Sequence, residues 1–331
     1  MRPGYTLVID DREFETPLYV ASDALSRTHD QHIKALAESY DDLPALVKLA
    51  EKLEPALRRR FLAAIAQIRD TLDLERIAEA IAENSLTRTL AAAEIATFPE
   101  QFGELAMDLK PAFLAGAHYA LAEMARSEVH GSFTLINPSA VEYARNATAD
   151  LVSPFIDDAK TNIADIVARA MSGELTPKSA AREIQDSIGL DPRRQQALDN
   201  YQGVLEEDGL TGDLLDRKVG RYRQELLRSR ADTIARTEIM RAANEGQRQV
   251  WEDMARRGAI DPNDWERVWV VTADDRLCDE CGPLDDVRVA FADEFPEGEP
   301  PLHPHCRCTI RLEHPEPVAP VADAPEEDEN A

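Results

Sequence analysis

Long apolar runs, basic residues and cysteines are all scarce in this chain of 331 residues. No stretch approaches the roughly 18 uncharged apolar residues that a membrane span needs. The opening "MRPGYTLVIDDREFE" reaches acidic residues before any apolar run is long enough for a secretory signal. The expectation is a chain made in the cytoplasm that stays there, or in something assembled there, with no membrane partner. Lys and Arg number 37 against 63 Asp and Glu, a formal net charge of −26. That deficit opposes general nucleic-acid binding, whose affinity comes mainly from cations displacing phosphate counterions. There are only four cysteines, and a cytoplasmic chain would not keep them as two disulfides in one small region.

What is present is apolar content of 44% and charged content of 30%, the balance of a globular protein, at a length that suits about two domains. Residues 1–22 read as an extended arm, with "YTLVID" and "TPLYVA" as short β-prone runs. From 23 to 160 the chain is Ala- and Leu-rich. Leu62, Ile65, Ile68, Leu72, Ile77 and Ile81 recur at helical spacing, with breaks near 41–44, 84–87, 98–103 and 131–138. The expectation is a helical bundle domain. In "SGELTPKSAAREIQDSIGL" Thr176 suits an N-cap, Pro177 the first helical position and Gly189 a left-handed exit. A long charged helix follows from 213 to 257. Its buried stripe is Leu227, Ala231, Ala235, Ile239, Ala243, Gly246, Val250 and Met254, and Gly258 closes it.

The periodicity then changes. "RVWVVT" (267–272) and "VRVAF" (287–291) read as two strands of a β-hairpin whose connector carries Cys278 and Cys281. The tail, 313–331, is rich in Pro, Ala and acid, has no core-forming pattern, and reads as disordered. The fold class is thus mainly α, with a small C-terminal α/β knob at 265–312.

All four cysteines fall between 278 and 308, as Cys-x2-Cys, twenty-four residues, then Cys-x-Cys, in "PPLHPHCRC", with His303 and His305 beside the second pair. Thiolate and imidazole are the ligands zinc prefers, and a reducing compartment disfavours two disulfides here. The plain alternative is four reduced core cysteines. Two pairs plus a histidine favour zinc, with Cys278 and Cys281 as the first ligands, then Cys306 with Cys308 or His303. A shell filled by thiolate and imidazole leaves no position for water, so the ion is structural. Between Arg217 and Arg241 eight basic residues stand against three acidic ones. Either this is a solvated helix face or it is a local partner-binding or DNA-binding surface, carried by Arg217, Lys218, Arg221, Arg223, Arg228 and Arg230.

These residues resemble a known family. "ADTIARTEIMRAANEGQRQVWEDMARRG" is similar to the long helix of the phage Mu protein F-like head morphogenesis family. "DDRLCDECGPLDD" followed by "PPLHPHCRC" resembles that family's C-terminal signature, and "LTPKSAAREIQDSIGL" with "PRRQQALDNY" the segment before the helix. The match spans about 160–312, which makes 161–312 the head-morphogenesis domain. The resemblance implies a minor head protein acting in prohead assembly at or near the portal vertex. It would contact the portal protein and the packaged DNA, with scaffold or major capsid protein as further neighbours. Two positions depart from the family: Asp285–Asp286 stands where Asp–Gly is usual, and His305 where Asn is usual, so His305 receives no ligand role. A zinc-dependent nuclease and an ADP-ribosyltransferase-like enzyme are the rival readings. The first lacks a helix after Cys308 to complete its site. The second needs a strand framework around Arg236 and Glu238, which read instead as a structural ion pair or a polar tie between helix and knob. A zinc-ribbon adaptor is opposed by the acidic charge.

Overall fold

The computed structural model describes residues 5–9, 12–16, 44–127, 129, 138–272 and 277–314. The rest of the arm, residues 23–43 of the expected bundle and 315–331 of the acidic tail lie outside the described residues. Near the N-terminus, β1 (Tyr5–Ile9) and β2 (Arg12–Thr16) pair antiparallel, Tyr5 opposite Thr16.

The protein is mostly helical. Its helices are α1 (Pro44–Thr71), α2 (Leu74–Ala82), α3 (Leu86–Ala92), the single turn α4 (Phe98–Gln101), α5 (Ala106–Arg126), α6 (Pro138–Met171), α7 (Pro177–Ser187), α8 (Pro192–Glu207) and α9 (Gly212–Arg256). Their ends follow local chemistry. Asp73 accepts from the N–H groups of Glu75 and Arg76 to start α2, Ser85 caps α3, and Thr176 accepts from Ser179 N to start α7 with Pro177 in its first turn. Gly189 and Gly258 take left-handed φ of 95° and 71° where a Cβ would be strained. At 45 residues, α9 is about 67 Å long and forms the spine of the molecule.

Every apolar residue of the expected stripe on α9, from Leu227 to Met254, is buried. That stripe meets α5 at very close range. A Cβ built on Gly116 would lie 1.7 Å from the carbonyl oxygen of Ala243, and one on Gly246 would lie 1.9 Å from that of Phe113. Only glycine lets the two backbones touch. Away from this crossing, Phe61, Phe102 and Phe155 form an aromatic centre, with ring centroids 4.8 to 6.1 Å apart. The division placed at 160/161 falls inside α6, and buried side chains from Val47 to Leu312 form one connected cluster.

The C-terminal knob holds three strands rather than the two of a hairpin. β3 (Glu266–Val270) lies between β4 (Arg288–Ala290) and β5 (Thr309–Glu313), antiparallel to both, with Arg267 opposite Val289 and Leu312. "TIRLE" was too short to stand out beside Cys308, yet it buries Thr309, Ile310 and Leu312. Asp286 turns the chain into β4 at φ 63°, the left-handed conformation that Asp tolerates and that Gly would take freely. The sheet sits against the C-terminal half of α9 through a buried amide network. Asn244 Nδ2 donates to the carbonyls of Pro300 and Cys308, and Gln247 Nε2 to that of Ile310. The Thr309 hydroxyl lies 2.7 Å from Asn244 Oδ1 and 2.8 Å from Gln247 Oε1.

Candidate metal centre

Two turns supply the donors. The first, between β3 and β4, closes by Gly282 N donating to Cys278 O and Leu284 N to Cys281 O, and brings Cys281 N within 3.3 Å of Cys278 Sγ. The second closes by Cys306 N donating to His303 O. They place His303 Nε2 3.1 Å from both Cys278 Sγ and Cys281 Sγ, and Cys281 Sγ 3.8 Å from Cys306 Sγ. Donor atoms fall into two groups of three that share Cys281: Cys278, Cys281, His303 and Cys281, Cys306, Cys308. Cys281, Cys306 and Cys308 are each about 2% exposed.

The donor set fits a tetrahedral ion. Sulfurs bound at about 2.3 Å stand about 3.8 Å apart across a tetrahedral edge, the separation between Cys281 and Cys306. A sulfur–nitrogen edge would be about 3.6 Å, so the imidazole sits about half an ångström inside it. The tautomer is also set. His303 Nδ1 lies 2.8 Å from the carbonyl oxygen of Pro304. A carbonyl only accepts, so Nδ1 carries the proton and Nε2 presents its lone pair to the sulfurs. The cavity among these residues measures about 20 Å³, space for a guest of about one atom or one water.

Electrostatics point the same way. A hydrogen bond from the Cys308 thiol is the largest influence holding Cys306 down at about 5, and the same bond pushes Cys308 far up. Burial drives Cys281 up to about 12. Packed this closely, the thiols cannot all ionise, because each thiolate raises the cost of the next. A divalent cation removes that conflict by binding the ionised forms together.

The structure separates the remaining residues of interest. The His305 ring lines the same cavity but is engaged by α9 rather than grouped with the thiols: its Nε2 is 2.9 Å from Thr233 Oγ1 and its Nδ1 3.4 Å from Arg236 Nη1. Arg236 and Glu238 are not paired with one another, which corrects the expected ion pair. Residues two apart on a helix point in different directions. Arg236 instead pairs with Glu54 of α1 at 3.2 Å, and Glu238 with Arg241 at 2.5 Å. Arg236 does tie helix to knob, through His305. The basic stretch also divides. Arg217, Lys218, Arg221 and Arg228 are exposed, but Arg223 and Arg230 are buried and cannot face a partner. Arg230 donates to Asp158 at 2.6 Å and to the Gly189 carbonyl, and Arg223 lies 3.6 Å from Asp186. Both point inward on the side of α9 that packs on the body. Asn244, Gln247 and Thr309, which hold the second turn, went unnoticed in the sequence. Their signal was two amides three residues apart in "AANEGQ", interrupting a run of small apolar residues.

The class is a mostly helical protein whose small C-terminal sheet is tied to its long helix by buried amides and carries beside it a Cys/His cluster that could hold a metal ion. Residues 161–311, a little under half of the chain, match the family described as Phage Mu protein F like protein, and the match supports a likeness to phage head morphogenesis proteins over that stretch. Neither curated proteins nor solved structures give a match.

Proposed function

We propose that the chain is a minor head protein that joins the prohead at the portal vertex, and that its Cys/His centre holds a structural zinc ion. The match over 161–311 supports the head-protein half of this reading, and the two donor trios that share Cys281, one with Cys278 and His303 and one with Cys306 and Cys308, support the metal half. Zinc suits a thiolate-rich tetrahedral set better than the oxygen-seeking cations do. When bound, it supplies cross-linking and charge neutralisation to a knob whose strands are only three to five residues long.

A donor set made of thiolates and imidazole, enough to fill a tetrahedral shell, supports binding rather than turnover. Among the described residues no helix is long and apolar enough to cross a membrane, in keeping with assembly in the host cytoplasm and residence in the virion, at the capsid interior or portal vertex. Portal protein is the principal partner, with packaged DNA, scaffold and major capsid protein as further contacts. Coexpression with the portal protein of the same phage, followed by size exclusion and elemental analysis, tests both halves. Co-elution with about one zinc per chain is the expected result. Separate elution defeats the portal assignment, and purified native protein without zinc defeats the metal assignment.

A further inference from the structure

The far end of α9 behaves unlike the rest of it. From Glu206 to Tyr222, across the turn joining α8 to α9, no residue is buried, whereas from Arg223 onward α9 is lined with buried side chains. The tips of the two helices thus face solvent, braced by the Tyr201 and Tyr222 rings at 4.6 Å, and α9 meets the core from Val219 and Tyr222, which are half-buried against it. At 1.5 Å per residue the stretch of α9 before Val219 is about 10 Å long.

Its outward face has a definite composition. At 100° per residue, Arg217, Arg221 and Arg228 lie within about 40° of one another, with Leu214 about 20°, Glu225 about 40° and Lys218 about 60° from Arg221. Leu214 is 49% exposed. None of these four cations makes an ion pair among the described residues, although the chain holds 63 acidic residues against 37 basic ones. Where acid is in such excess, cations left without partners on one face of an exposed tip are available for something outside the molecule. An exposed leucine among them distinguishes the face from a phosphate-binding stripe, which gains nothing from an apolar side chain. A central apolar anchor within a charged rim is how protein interfaces are built.

We infer that the α8–α9 tip is the docking arm of this protein, and that it fits an acidic protein surface with an apolar socket for Leu214, flanked by carboxylates for Arg217, Lys218 and Arg221. This rests on the minor head reading, in which the acidic surface belongs to the portal protein. The experiment compares full-length wild type, Leu214→Asp and the triple variant Arg217→Glu, Lys218→Glu, Arg221→Glu. Each is titrated with portal protein at low and high salt, and separately with a short duplex DNA. Zinc content and far-UV circular dichroism verify that the variants fold, as expected for positions without buried contacts. Both variants should bind portal at least roughly tenfold more weakly than wild type, and raised salt should weaken wild-type binding. Wild-type portal affinity in either folded variant overturns the inference while leaving the minor head reading standing. Loss of DNA binding in the triple variant with portal binding kept assigns the face to DNA and equally overturns it. A wild type that binds no portal defeats the minor head reading, and this inference with it.

Discussion

In the helical body, Phe61, Phe102 and Phe155 pack ring against ring, and α5 and α9 touch backbone to backbone at Gly116 and Gly246. In the knob, three short strands enclose Trp269 and Phe295 on one side, while beside them stand three buried thiols, an imidazole and a network of amides. Burial of apolar surface holds the body. The knob's Trp269, Phe295, Ile310 and Leu312 join the same core, but the knob adds buried polar atoms that are costly unless each finds a partner or an ion. The difference teaches that one chain can hold its two ends by different forces, so the two should fail under different insults.

The largest expected effect separates them outright. With zinc bound as proposed, chelation or Cys281→Ser should remove a contribution on the order of 10 kcal/mol from the knob. Amide exchange should accelerate across β3 to β5 while helical circular dichroism is retained. A knob that stays protected without its ion would erase the contrast.

Next comes the body's own exception, a half-buried ion pair. Arg230 is 7% exposed and donates to Asp158, whose carboxyl burial raises above its usual range despite the arginine. Arg230→Met leaves that carboxylate without its partner and should cost about 1–3 kcal/mol in urea unfolding. Adding Asp158→Leu should return much of the loss. If the single variant is neutral, the pair is solvated and the body depends on packing alone.

Close packing offers a third test. Gly246→Ala drives a Cβ into the Phe113 carbonyl and should cost about 1–3 kcal/mol by calorimetry. Gly203→Ala on α8 meets nothing within 4 Å and should be neutral or stabilise by up to about 1 kcal/mol. Equal effects at both sites would mean the helices are not in contact where the structure has them.

The smallest effect is one of pH. Burial raises the Glu238 carboxyl above 4.5, against the opposing pull of Arg241. The folded state therefore holds this proton more tightly than the unfolded state does. The stability it contributes is full below 4.5 and is lost as pH climbs through the raised value. Glu238→Gln should accordingly raise the melting temperature at neutral pH and change it little in acid. A variant less stable at neutral pH would show that the Arg241 pair outweighs burial.

Much of this was legible in order of residues. The stripe on α9, the Thr176–Pro177 start of α7, the Gly189 and Gly258 exits and the convergence of two cysteine pairs follow from local rules of periodicity, capping and spacing. Other features were hidden because their causes are not local. β5 is a strand because β3 is there to pair with it. Arg223 and Arg230 looked like surface charge until α6 and α7 packed over them. Arg236 found Glu54, 182 positions away, not its neighbour Glu238.

By itself, then, the order of amino acids determined which segments are helical, where they stop, and that sulfur and imidazole ligands gather near residue 300, because each depends on residues within a few turns of one another. Tertiary structure alone decided which charges are buried, which nitrogen of His303 faces the thiols, that His305 turns toward α9, and that the tip joining α8 to α9 holds no buried residue. Those outcomes depend on distances between segments remote in the chain, and only packing establishes them.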